Sequence, residues 1–178
     1  CSGRKKSQTD VELNIRCYHF PKLLKTTNTY RIFAENLFMS IEEIQNEIVE
    51  EFSMFDDWMQ RYEYMIELGK SLPLIDERYK TEDNIIKGCQ SKVWVHAELE
   101  GDKLVFTADS DAIITKGIIA ILIRAFSNQR PKDIIEANTD FIDEIGLKDH
   151  LSPTRANGLV SMIKQLKLYA IAYQTQLN

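Results

Sequence analysis

Cysteine is scarce in this chain of 178 residues: there are three, Cys1, Cys17 and Cys89. Two fall within the first 38 residues, so the remainder holds one thiol and no disulfide framework, which suits a reducing cytoplasm. A zinc or iron–sulfur centre needs about four ligands, and no clustered cysteines supply them. Histidine is as rare: His19, His96 and His150 stand in no context that brings a base to a thiol. No Gly-rich phosphate loop is present. Long apolar runs are missing too. The longest, residues 112–126, is broken by Lys116 and Arg124 and falls short of the roughly 20 residues that cross a bilayer, so no membrane span is expected.

Positive charge is missing where a nucleic-acid surface would need it. Residues 1–38 hold 7 Lys/Arg against 3 Asp/Glu, a balance of +4. The remainder holds 15 against 24, a balance of −9, which together give the formal −5. An acidic body does not displace counterions from phosphates, so no nucleic-acid partner is expected. It is compatible with docking on a basic protein.

What is present reads as one folded domain preceded by an extension. The length supports one well-buried core. Residues 1–38 carry a basic Arg4-Lys5-Lys6 run, no sustained periodicity and no secretory h-region. Asp10, Glu12 and Glu35 speak against a transit peptide, and the chain opens on Cys1. We read this segment as a dispensable extension, disordered or a gene-model artefact. At Met39 the character changes. Ser40 and Glu43 form a capping box, and Met39 and Ile44 occupy the positions of a hydrophobic staple. The domain is therefore expected over residues 39–178.

Helical spacing predicts a first helix over residues 40–52 and a second over 55–68. The second carries a stripe of Phe55, Trp58, Met59, Tyr62, Met65 and Ile66 that reads as core, and Asp56 and Asp57 in its first turn. Ile85-Ile86 is a short strand candidate. Residues 93–98 and 104–108 read as a hairpin with its tip at Glu100-Gly101-Asp102. Asp109-Ser110-Asp111 offers N-caps for a helix over 112–126, apolar nearly all round and therefore central to the core. Short helices are expected after Pro131 and at 141–145. Ser152-Pro153 opens the last helix, with Leu159, Met162, Ile163, Leu166, Ala170 and Tyr173 on one stripe. The class is α+β, a small antiparallel sheet packed by helices.

The residue with chemistry to offer is Cys89. Gly88 before it permits a tight turn and a close backbone approach. Lys87 and Lys92 can favour the thiolate, and strand alternation would put Lys87 on the thiol's side. The plainer reading is an inert buried cysteine. A thiol without its own base or metal suits a carrier that receives a group activated elsewhere.

The segment Gly88-Cys89-Gln90-Ser91-Lys92-Val93-Trp94 resembles the cysteine motif of the SufE family of sulfur-acceptor proteins. Asp57-Trp58-Met59-Gln60-Arg61-Tyr62 and Ile66-Glu67-Leu68-Gly69 resemble its helical lead-in, and Asp109-Ser110-Asp111-Ala112 with Lys116-Gly117 the start of its core helix. His150-Leu151-Ser152-Pro153-Thr154-Arg155 resembles its C-terminal signature. The blocks occur in family order and span about residues 39–172.

The resemblance implies a fold shared with the IscU/NifU-like scaffolds. It also implies a persulfide on Cys89, taken from a SufS-type cysteine desulfurase that the protein stimulates. The sulfur then goes to a downstream iron–sulfur scaffold, in the cytoplasm. Such a protein is a carrier and activator and not a free-standing enzyme. Pyridoxal phosphate belongs to the desulfurase, and neither cofactor nor metal is expected on this chain. Lys87, Gly88, Gln90, Asp109, Asp111, Lys116, His150 and Arg155 are the supporting or partner-binding candidates. Several have plainer readings. Asp109 and Asp111 can cap the core helix, His150 can satisfy backbone groups, and Arg155 can bind a partner carboxylate or pair internally. Gly158, costing about 1 kcal/mol inside a helix relative to Ala, points to close packing or a contact surface. Monomer and homodimer are both open.

Overall fold

The structure is a computed structural model that describes residues 39–177. The segment read as an extension lies outside these residues.

Helix α1, Ile41–Ser53, starts where the capping box predicts: the Glu43 N–H donates to Ser40 Oγ, and Glu43 accepts from the Ser40 N–H. Helix α2, Trp58–Lys70, starts three residues later than the periodicity suggests. The reason is Asp57, whose carboxylate accepts from the Gln60 N–H at 2.9 Å and so acts as the N-cap itself. The stripe on this helix is interior only in part. Met65 and Leu68 are buried and Trp58 and Tyr62 half-buried, but Met59 is 69% exposed.

Strands β1, Val93–Glu100, and β2, Lys103–Ser110, pair antiparallel from Val93↔Ser110 to Glu100↔Lys103. Gly101 in the turn has φ +65°, a conformation glycine takes without strain. Alternation sets one covered face: Val93, Val95, Ala97, Leu104, Phe106 and Ala108 are buried. The Ile85-Ile86 strand candidate reduces to a bridge, Ile85 to Trp94, with the Ile86 N–H donating to the Val93 carbonyl.

Helix α3, Ile113–Phe126, runs through the core with every residue from Gly117 to Phe126 buried. It begins without a side-chain cap, because β2 continues through Ser110 and the chain turns at once. Ser110 Oγ accepts from the Ala112 N–H, while Asp109 and Asp111 are drawn elsewhere. The capping role expected of those two aspartates is thereby corrected. Helices α2 and α3 cross at glycines: a Cβ on Gly117 would stand 2.5 Å from the Met65 carbonyl oxygen. At the far end Arg124, 2% exposed, pairs with Glu51 and with Glu47 at 3.4 Å, so its charge is not buried alone.

Two short helices follow, α4 (Pro131–Glu136) and α5 (Phe141–Glu144), and then α6, Pro153–Leu177. Tyr169 and Tyr173 donate to the Val95 and Ala97 carbonyls at 3.1 and 2.8 Å. These bonds fix α6 along β1 and bring its first turns over the cysteine loop.

Candidate functional site

Residues 87–92 form a turn between the Ile85 bridge, with Ile86 after it, and β1. Gly88 has φ +92°, and a Cβ there would lie 2.8 Å from Ser161 Oγ on α6. Only glycine meets both conditions without strain. The turn delivers Cys89 against Gly158, where its Sγ lies 3.7 Å from the Gly158 carbonyl oxygen. A Cβ on Gly158 would meet that sulfur at 3.3 Å. The helix glycine therefore marks close packing, and what it packs against is the thiol.

Cys89 opens on a pocket of about 400 Å³. The loop contributes Gln90 and Ser91, the start of α3 Asp111, Thr115 and Ile118, and α6 Thr154, Arg155 and Met162. Three bonds hold the loop to the start of α3: the Lys92 N–H donates to Asp111 Oδ1 at 3.0 Å, the Asp111 N–H donates to the Lys92 carbonyl at 3.2 Å, and Thr115 Oγ1 donates to Ser91 Oγ at 3.5 Å. Thr115 carries no sequence signal of its own, and Ser91, Thr154 and Met162, though they fall in motifs or on the apolar stripe of the last helix, meet it only once α3 and α6 pack on the loop.

Burial pushes the Cys89 thiol up from its ordinary value. The help expected from Lys87 is not delivered. Residues 87–92 are a turn, so strand alternation does not apply, and exposed Lys87 faces Glu82 at 4.0 Å. Lys92 is exposed and contributes its backbone to Asp111.

The remaining candidates divide. Gln90, Asp111 and Arg155 line the pocket with Cys89. Asp109 lies beside it in sequence and pairs with Lys80 at 2.8 Å and Lys116 at 2.7 Å. Burial would raise the Asp109 carboxyl, but hydrogen bonds from Lys116, Lys80 and the Ser110 N–H outweigh it and hold it low. Lys116 is thus taken up by an ion pair. His150 stacks on Trp58 with 3.6 Å between ring centres, and its Nδ1 lies 3.2 Å from the Gly146 carbonyl. These contacts are made within the fold, and His150 does not line the pocket. Arg155 is exposed, and its guanidinium makes no hydrogen bond or ion pair among the described residues, so the internal pairing left open by the sequence does not occur.

Among the described residues no group of three or more His, Cys, Asp or Glu could hold a metal ion, and no helix is long and apolar enough to cross a membrane. Fold and site define an α+β domain that presents a single half-buried thiol to an open polar pocket. The chain belongs to the SufE family: the family's domain, described as Fe-S metabolism associated, matches residues 46–170. Its domain is therefore one of Fe-S metabolism.

An uncharacterized SufE-like protein of Rhizobium meliloti is 42% identical over 127 residues, 68% of this chain and 91% of that protein. Another, of Synechocystis, is 39% identical over 71% of this chain and 80% of its own. SufE-like protein 1, chloroplastic/mitochondrial, of Arabidopsis thaliana is 36% identical over 70% of this chain, which spans 34% of that longer protein. The solution structure of a hypothetical protein from Thermus thermophilus matches with a TM-score of 0.64 at 21% identity. It covers 74% of this chain and 96% of its own, and it shows the same fold.

Proposed function

We propose that Cys89 accepts sulfane sulfur from a SufS-type cysteine desulfurase, stimulates that enzyme by clearing its persulfide, and supplies iron–sulfur cluster assembly. The Cys89 thiolate attacks the outer sulfur of the donor persulfide. The donor's S–S bond breaks, a new S–S bond forms to Cys89, and the donor leaves as a thiolate that takes up a proton. Electrons balance without oxidant or reductant.

The observation that carries this reading is a thiol that, among the described residues, stands alone in an open pocket that no histidine lines. Such a group has no base of its own for peroxide or ester chemistry. It does have room beside it for a sulfur atom. The raised thiol supports a resting protein that is slow to react with adventitious electrophiles and relies on docking to expose or ionise Cys89. The pyridoxal phosphate of the overall reaction would sit on the desulfurase, and this chain would be its carrier and activator.

The test adds the protein to a SufS-type desulfurase turning over L-cysteine. Alanine release should rise, and peptide mapping without added reductant should find added sulfur on the peptide that contains Cys89. Unchanged turnover with an unmodified Cys89 peptide would remove the proposal.

A further inference from the structure

The pocket beside Cys89 holds two opposite charges that do not use each other. Arg155 on α6 has no side-chain partner among the described residues. Asp111, before α3, accepts one bond through Oδ1 from the Lys92 backbone and forms no ion pair there. Both line the same cavity of about 400 Å³ as the thiol, together with Thr115 and Thr154. Unlike charges held apart at one pocket and left in water are complementary to a ligand that carries both charges itself. An α-amino acid is such a ligand, and the volume is ample for one.

We propose that this pocket receives a free thiol-bearing α-amino acid, its carboxylate on Arg155 and its ammonium at Asp111, and that this thiol unloads the persulfide from Cys89. The inference rests on the persulfide reading above and adds a small-molecule acceptor to it. The amino acid's thiolate attacks the outer sulfur of Cys89–S–SH. The bond between Cys89 Sγ and that sulfur breaks, an S–S bond to the amino acid forms, and Cys89 leaves as a thiolate and is reprotonated. The products are the amino-acid persulfide and the free carrier, with no external redox partner. Charge-assisted bonds to both ends would orient the thiol for in-line attack.

The experiment avoids the desulfurase. The full chain carrying Cys1→Ser and Cys17→Ser is converted at Cys89 to the mixed disulfide with 2-nitro-5-thiobenzoate. Sulfide then displaces that group to leave Cys89–S–SH. Loss of the extra sulfur is followed by intact mass with four thiols, each rate corrected for its thiolate fraction: L-cysteine, cysteamine, 3-mercaptopropionate and N-acetyl-L-cysteine amide.

L-cysteine should be faster than each of the others by about tenfold or more, as two oriented charge-assisted contacts imply. Arg155→Gln should remove its advantage over cysteamine, which lacks the carboxylate. Asp111→Asn should remove its advantage over 3-mercaptopropionate, which lacks the amine, while keeping an oxygen for Lys92. Equal corrected rates for all four thiols would overturn the inference and leave the carrier reading standing. The same holds if N-acetyl-L-cysteine amide, the mimic of a protein cysteine, matches L-cysteine. A preference for L-cysteine on chemically loaded protein that no desulfurase can load would keep the pocket assignment and remove the carrier reading.

Discussion

Replacing Gly158 by alanine tests the geometry of the site in one step. In a helix interior the change is worth about 1 kcal/mol of added stability. Against this, the new methyl would stand 3.3 Å from Cys89 Sγ and 3.8 Å from its Cα and Cβ, with the sulfur the tightest of the three. The sulfur belongs to a side chain facing an open pocket, so it can yield by a few tenths of an ångström without moving backbone. The two effects nearly cancel, and Gly158→Ala should change stability by less than about 1 kcal/mol in denaturant melts. The thiol should change more. Displaced from the Gly158 carbonyl toward the pocket mouth, it loses part of the burial that holds it protonated. Alkylation of Cys89 by iodoacetamide at neutral pH should quicken, and its pH–rate curve should move to lower pH. Each tenfold gain in thiolate corresponds to about 1.4 kcal/mol of relieved desolvation. A slower reaction, or a stability loss above about 2 kcal/mol, would refute the close contact between α6 and the thiol and the view that burial controls its reactivity.

Ile121→Ala removes a side chain 1% exposed at the centre of α3 and should cost about 2–5 kcal/mol by lost burial and cavity formation, read from denaturant midpoints. Asp109 ionises below its ordinary value in the fold, so its contribution is present above about pH 4 and is lost as pH falls through the lower folded value. Asp109→Asn should therefore flatten the acid limb of the stability profile, and an unchanged limb would mean Lys80 and Lys116 do not hold this carboxylate. Removing residues 1–38 should leave cooperative unfolding and desulfurase stimulation as in the full chain, because Ser40 and Glu43 close the start of α1 between themselves. Loss of either would make the segment integral.

Features set by neighbours in the chain were readable from the sequence. The capping box at Ser40, the hairpin turning at Gly101 and the all-round apolar α3 follow from spacings of a few residues, and each forms as expected. Where two local signals competed, the residues alone could not choose. Asp56 and Asp57 are both plausible first-turn acids, and only Asp57 meets the Gln60 N–H. Asp109 and Asp111 look like caps until β2 is seen to run through Ser110, which sends one to Lys80 and Lys116 and the other to Lys92. Of the site, Cys89 stood out because it is the one thiol of its domain, and Gly158 because a glycine inside a helix asks for a reason. That the reason is Cys89, 69 positions earlier, depends on Tyr169 and Tyr173 fastening α6 to β1. The same packing gathers Thr115 and Met162 into the pocket, and no short-range pattern encodes it.

The central claim, that Cys89 itself receives the sulfur, is tested most directly by comparing the wild-type chain with Cys89→Ser. Each is incubated with a SufS-type desulfurase and a limiting amount of L-cysteine, so that little free amino acid remains to unload Cys89, then quenched for intact mass. Serine is close in size at this half-buried position, so the melting transition should be unchanged. The alcohol is far less acidic than a thiol and cannot carry a persulfide. The account predicts sulfur added at Cys89 of the wild type, none at position 89 of the variant, and no stimulation of turnover by the variant. A Cys89→Ser protein that still stimulates the desulfurase fully, with L-cysteine as the only sulfur source, would contradict it.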